Sequence, residues 1–249
     1  MIDISKTVHV MLTDRDYKML FELYENVVTS FYQIQKMFFN GRSHATAMNR
    51  LRLLEDSGLI KRTKVPRIKA WAGGREVGVV FQVTAKSIRC LEQKFNEWEF
   101  VEKIPIINPH ALDHDLLIND IKEAVLGLCE GGMWLNGRYL NDLNGYKKIP
   151  DAVIKIPNSV QVIAIEVELH AKSSSRYRQI LNEFRASPKI SQVIYITAGL
   201  QIDRKILSEL EGYAVPLGFK SKSEVFKFMS VAEMTQGKQS PHLDVGVCV

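Results

Sequence analysis

The sequence predicts a mixed α/β protein in two domains, and three observations carry that prediction. Residues 1–105 read as three capped helices, two strand-like runs and a fourth helix. Residues 106–230 read as helix, three strands, helix, strand, helix, the order of an α/β core. At the centre of that second stretch, two acids fall on one face of an otherwise apolar strand. Residues 231–249 are left as a C-terminal tail.

The chain has 249 residues, enough for one large domain or two small ones with sizeable cores. No apolar run approaches the roughly 20 residues of a membrane helix, and the N-terminus lacks a charged-then-apolar signal pattern. No membrane association is therefore expected. Cys90, Cys129 and Cys248 are odd in number, far apart and in no metal-ligand spacing, so free thiols in the cytoplasm are expected. The net charge of +5 is unevenly placed. Between Gly41 and Arg75, nine basic residues stand against Glu55 and Asp56, and the remainder is slightly acidic. A basic block on a near-neutral body points to a polyanion-binding face.

The helices of the first domain follow from caps and spacing. Thr13 caps a helix carrying Tyr17, Leu20, Phe21, Leu23 and Tyr24. Ser30 caps a second, with Phe31, Ile34, Met37 and Phe38, which Asn40-Gly41 ends. Ser43 caps a third, with Ala45, Met48, Leu51 and Leu54 inward and His44, Thr46, Asn49, Arg50 and Arg52 outward. Ile60–Val65 and Val77–Val83, joined through Gly73-Gly74, read as a hairpin with a basic first strand. Thr84 caps a fourth helix. The phrase Leu51-x-x-Leu54-x-x-x-Gly58-Leu59-Ile60-Lys61-Arg62, with Phe81-x-Val83-Thr84 downstream, resembles a winged helix-turn-helix domain. That resemblance implies double-stranded DNA as partner, with the third helix in a major groove. His44, Thr46, Asn49 and Arg50 would then meet the DNA, Asn49 and Arg50 at base edges. Lys61, Arg62, Lys64, Arg67 and Arg75 would meet phosphates.

In the second domain, Asp113 is expected to cap a helix reaching about Glu130. Strands are expected over Met133–Leu140, Ala152–Ile156, Val160–Leu169 and Gln192–Thr197. In the third of these, Ile163, Ile165, Val167 and Leu169 share one face, and Ala164, Glu166, Glu168 and His170 share the other. Two carboxylates side by side in an apolar strand are costly unless something positive sits between them, and a divalent metal is the usual answer.

Pro150-Asp151 followed by Glu166-x-Glu168, in this element order, resembles the restriction-endonuclease-like, or PD-(D/E)xK, nuclease fold. The resemblance implies Mg²⁺ or Mn²⁺ on Asp151 and Glu166, with Asp120 and Glu123 on the preceding helix as further candidate ligands. Lysine is usual at the third motif position, where this chain has Glu168. A glutamate there serves some members as base or further ligand, and Lys172, four residues on, can swing back to supply the cation. Arg176 and Arg178, at the start of the next helix, are candidate phosphate contacts. His114 and Tyr177 are minor candidates, the latter as an attacking group.

Taken with Asp113-His114-x-Leu116-x-x-Asn119-Asp120, Lys172 and Arg176-Tyr177, the whole chain looks like the replication-relaxation family, which includes the MobC-type plasmid relaxases. That implies a metal-dependent, site- and strand-specific DNA nickase acting at a plasmid transfer origin, with relaxosome accessory or coupling proteins as partners. The alternative is a non-catalytic DNA-binding replication or transcription regulator whose second domain only packs or dimerises.

Overall fold

The computed structural model describes residues 10–69, 76–96, 98, 100–129, 131–142, 146–198, 200–210 and 225–236. The protein is mixed α/β, with one three-stranded and one five-stranded sheet. It divides into two compact units, Met1–Asn119 and Asp120–Val249.

The first unit begins with α1 (Asp14–Asn26), where Thr13 and Asp16 close a reciprocal capping box. After it comes β1 (Thr29–Ser30), too short to show any periodicity in the sequence. Ser30 ends that strand and caps α2 (Phe31–Phe38), with Gln33 completing a second capping box. Ser43 caps α3 (His44–Asp56), and Thr84 caps α4 (Ala85–Lys94). Between them run β2 (Ile60–Lys69) and β3 (Glu76–Val83), antiparallel, in a sheet ordered β1-β3-β2. The register slips between Lys64 and Ile68, around Pro66, which has no N–H to give a ladder and sits on the edge strand. Gly73-Gly74 and Arg75 lie outside the described residues.

The inward face of α3 differs from expectation. Ala47, Leu51 and Leu54 are its buried residues, whereas Ala45 is exposed. Arg50 lies three residues after Ala47 and four before Leu54, so it turns inward with them rather than outward.

The chain beyond α4 still belongs to this unit. Gln82 Nε2 donates to the Pro105 carbonyl (3.1 Å), Gln33 Nε2 to Leu116 O (2.8 Å) and Asn119 Nδ2 to Val28 O (2.6 Å). Leu112 and Leu116 pack with Val28, Val77 and Val80. They stand at the start of α5 (Leu112–Leu126), within which the division between the units falls. Asp113 is not its cap. A short 3-10 turn, Pro109–Ala111, comes first and is capped by Asn108, which leaves Asp113 in the first turn of α5.

The second unit is built on a sheet of β4 (Met133–Asn136), β5 (Ala152–Lys155), β6 (Val162–Glu168), β7 (Ile190–Thr197) and β8 (Phe226–Ser230), paired in that order. The first two pairings are antiparallel and the last two parallel. The parallel step from β6 to β7 is made through α6 (Ser174–Arg185), and α7 (Leu200–Leu210) follows β7. Tyr177, Ile180, Leu181 and Phe184 of α6 and Ile202 and Ile206 of α7 bury Ala164, Val193 and Tyr195. A helical turn, Val231–Gln236, follows β8, where a tail was expected; residues 237–249 lie outside the described residues. Among the described residues no helix is long and apolar enough to cross a membrane.

A candidate active site and a candidate nucleic-acid interface

β6 is the middle strand of its sheet, and all seven of its residues are buried. Alternation sends Ile163, Ile165 and Val167 to one face and Ala164, Glu166 and Glu168 to the other, as expected. Asp151 reaches the same place from the start of β5. Its N–H donates to Ile165 O (3.1 Å), and its Oδ2 accepts from the Val167 amide (2.8 Å). That bond ties the Asp151 carboxylate to the backbone immediately after Glu166. The third strand contributes Tyr195, which is in register with Glu166.

Positive charge comes from two lysines. Lys148 Nζ lies 2.6 Å from Glu166 Oε1 and also donates to Ile149 O (2.8 Å). Its ammonium stands 5.6 Å from the centre of the Phe184 ring, a cation–π distance. Lys172 Nζ pairs with Glu168 Oε2, as the four-residue spacing allowed. Both glutamates are 6% exposed, so each is a buried carboxylate that needs its own partner.

Three carboxylates and two ammonium groups meet here. Burial and then the Asp151 charge push the Glu166 carboxyl up, Lys148 pulls it back, and the balance is about 7 against an ordinary 4.5. The Tyr195 hydroxyl, buried and close to Glu166 and Glu168, is held well above its ordinary range and has no hydrogen-bond partner among the described residues. Asp151 and Glu166 are thus two mutually repelling carboxylates that a divalent cation would stabilise. Among the described residues, however, no group of three or more His, Cys, Asp or Glu side chains is gathered as a metal site. Asp120 is half-buried and Glu123 exposed on α5, and neither completes such a group with Asp151 and Glu166. Two carboxylates still suit Mg²⁺, which commonly takes one or two from protein and the rest from water and substrate phosphate.

The other candidates on this unit divide. Tyr177 is fully buried, and its hydroxyl accepts from the Lys172 amide (3.0 Å), so it is part of the core. Arg176 is exposed at the N-terminus of α6, and Arg178, also exposed, reaches Glu209 on α7 (3.3 Å). His114 belongs to the first unit, with Nδ1 4.0 Å from Asp115 Oδ1.

On the first unit, Arg50 is committed to the fold. Its Nε donates to Asp16 Oδ1 (2.9 Å), and its Nη2 to Asp16 Oδ2 (2.5 Å) and Met11 O (3.0 Å). Burial alone would raise the Asp16 carboxyl, but Arg50 and then Thr13 hydrogen-bond to it and hold it below its ordinary range. The base-edge role expected of Arg50 is therefore set aside, because its fork is occupied by a buried carboxylate. Around it, His44, Thr46, Asn49 and Arg52 are exposed on α3. The His44 ring lies 4.5 Å from that of Phe31, tilted at 50°, and the Thr46 hydroxyl bonds to Ser43 (2.9 Å). On β2, Lys61, Arg62, Lys64 and Arg67 are all exposed, with Arg62 3.4 Å from Glu55 and Arg67 3.7 Å from Glu76. Arg75 lies outside the described residues.

No protein-family model and no curated protein matches the chain. Sequence reasoning missed Lys148, Tyr195 and Asp16. Lys148 left a signal, since Lys147-Lys148 directly precedes Ile149-Pro150-Asp151. Tyr195 left only its place in an apolar strand, and Asp16 left none beyond helix capping.

Proposed function

We propose that the chain is a metal-dependent DNA endonuclease, a nickase of the replication-relaxation type that opens one strand at a plasmid transfer origin. In this reading the first unit is a winged helix-turn-helix domain and the second a PD-(D/E)xK nuclease-like domain. The observation that carries it is the convergence of Asp151 and Glu166 from adjacent strands, tied by the Asp151–Val167 amide bond, beside Glu168 and its lysine. The exposed cations of β2 and the polar face of α3 support double-stranded DNA as the partner.

Asp151 and Glu166 would hold Mg²⁺ or Mn²⁺. When bound, such an ion supplies charge stabilisation on a phosphodiester and an acidified water. The chain's own groups do the rest. Glu168 takes the proton from the attacking water, and Lys172 gives the buried Glu168 carboxylate its ion-pair partner. The attacking group in this reading is water, since the Tyr177 hydroxyl is buried and bonded to the Lys172 amide. Relaxosome accessory or coupling proteins are the partners this activity implies.

One observation favours a second reading, a non-catalytic DNA-binding regulator with a degenerate nuclease-like domain. Each glutamate already has a lysine, and among the described residues no group of three or more His, Cys, Asp or Glu side chains is gathered as a metal site. The two readings part on a supercoiled plasmid carrying the DNA that flanks the chain's own gene. The endonuclease converts it to open circles with Mn²⁺ and not with chelator, whereas the regulator binds it and leaves it supercoiled in both.

A further inference from the structure

We propose that Lys148 is a further catalytic residue, the cation that the Glu166-x-Glu168 motif lacks at its third position. This rests on the endonuclease reading of the site and says which lysine serves it.

Two lysines compete for that role, and their partners separate them. Lys172 neutralises Glu168, which is buried and has no other cation among its described contacts. Taking Lys172 away would strand a charge in the core. Lys148 neutralises Glu166, and Glu166 together with Asp151 is the pair that a divalent ion would occupy. Once an ion sits there, Lys148 is redundant on Glu166, and its ammonium is released beside the position a phosphate must take. A lysine head is a compact charge on a flexible stem, suited to such a change of partner. The Phe184 face, 5.6 Å from Nζ, keeps it local.

A second, independent sign that the site is built for a ligand is Tyr195. It is 1% exposed, in register with Glu166, and its hydroxyl has no hydrogen-bond partner among the described residues.

The site therefore has two states. Without metal, Lys148 closes onto Glu166. With metal and DNA, Asp151 and Glu166 hold the ion and Lys148 holds the phosphate, stabilising the charge that builds on it as water attacks and the ribose oxygen leaves. Lys148 thus both competes with metal entry and serves the chemistry.

The test uses the full chain and two readouts: Mn²⁺ affinity, and nicking of supercoiled plasmid at saturating Mn²⁺. Lys148→Met is expected to bind Mn²⁺ at least tenfold tighter yet nick at least a hundredfold slower. Lys148→Arg, which keeps the charge, is expected to recover part of the nicking. Retained Mn²⁺ binding by Lys148→Met reports that the variant has folded. Wild-type nicking by Lys148→Met at saturating Mn²⁺ overturns the proposal while leaving the endonuclease reading intact. Absence of Mn²⁺ binding and nicking in wild type and variant alike overturns both.

Discussion

Removing Arg50 leaves the Asp16 carboxylate buried without its guanidinium. Arg50→Ala is expected to cost about 2 kcal/mol, less than the roughly 3–5 of a fully buried pair because the guanidinium is partly exposed. Chemical denaturation measures it. Because the folded Asp16 carboxyl lies below its ordinary value, its contribution is present above the ordinary carboxylate range and is lost as pH falls through the folded value. The variant should therefore show a smaller loss of stability on acidification than wild type. Glu166 has the opposite sign. Its carboxyl is raised to about 7, so its contribution is complete below the ordinary 4.5 and disappears as pH rises through 7. In chelator, Glu166→Gln should flatten the decline of stability over that window, and an unchanged slope would contradict the burial of this charge. These residues show what local patterns hide. The Thr13, Ser30, Ser43 and Thr84 caps were legible because a cap is read within three residues. Arg50 and Asp16 are 34 residues apart, and only packing brings them together.

At the scale of elements, the strand carrying the two glutamates was legible because alternation needs only the strand itself. Its lysine partner Lys148 was not, because it comes from a loop that periodicity does not describe. β1 escaped for a simpler reason, since two residues make no pattern. The end of β4 holds the loop that delivers Asp151. Gly137 N–H donates to Asp151 O (2.8 Å), and a Cβ at Gly137 would fall 1.9 Å from the Pro150 carbonyl oxygen. Backbone cannot yield as a side-chain tip can. Gly137→Ala is therefore expected to displace Pro150-Asp151, cost at least about 1–3 kcal/mol and weaken Mn²⁺ binding while sparing DNA binding. Mn²⁺ titration and a gel shift separate the two effects. On β2 and α3 the expectations follow charge and shape. Lys64→Ala should weaken binding to all sequences alike and reduce the salt slope by about one unit. Asn49→Ala should instead cost about 1–3 kcal/mol on the preferred site alone.

For the whole molecule, the basic block of the first unit and the buried acids of the second divide the proposed labour into choosing DNA and cutting it. The mixed α/β character was readable from the succession of periods, and the division into compact units puts the chain through Asn119 in the first. The acids looked in the sequence as though they demanded a metal, and lysines supply part of that charge instead. The measurement that tests the central claim most directly compares wild type with Asp151→Ala and Glu166→Ala on supercoiled plasmid carrying the DNA flanking the gene, with Mn²⁺ present and DNA binding verified by gel shift. The expected result is open circular DNA from wild type alone, nicked at one phosphate on one strand, with binding unchanged in both variants. Equal nicking by all three proteins, or none by wild type under Mg²⁺ or Mn²⁺, would contradict it.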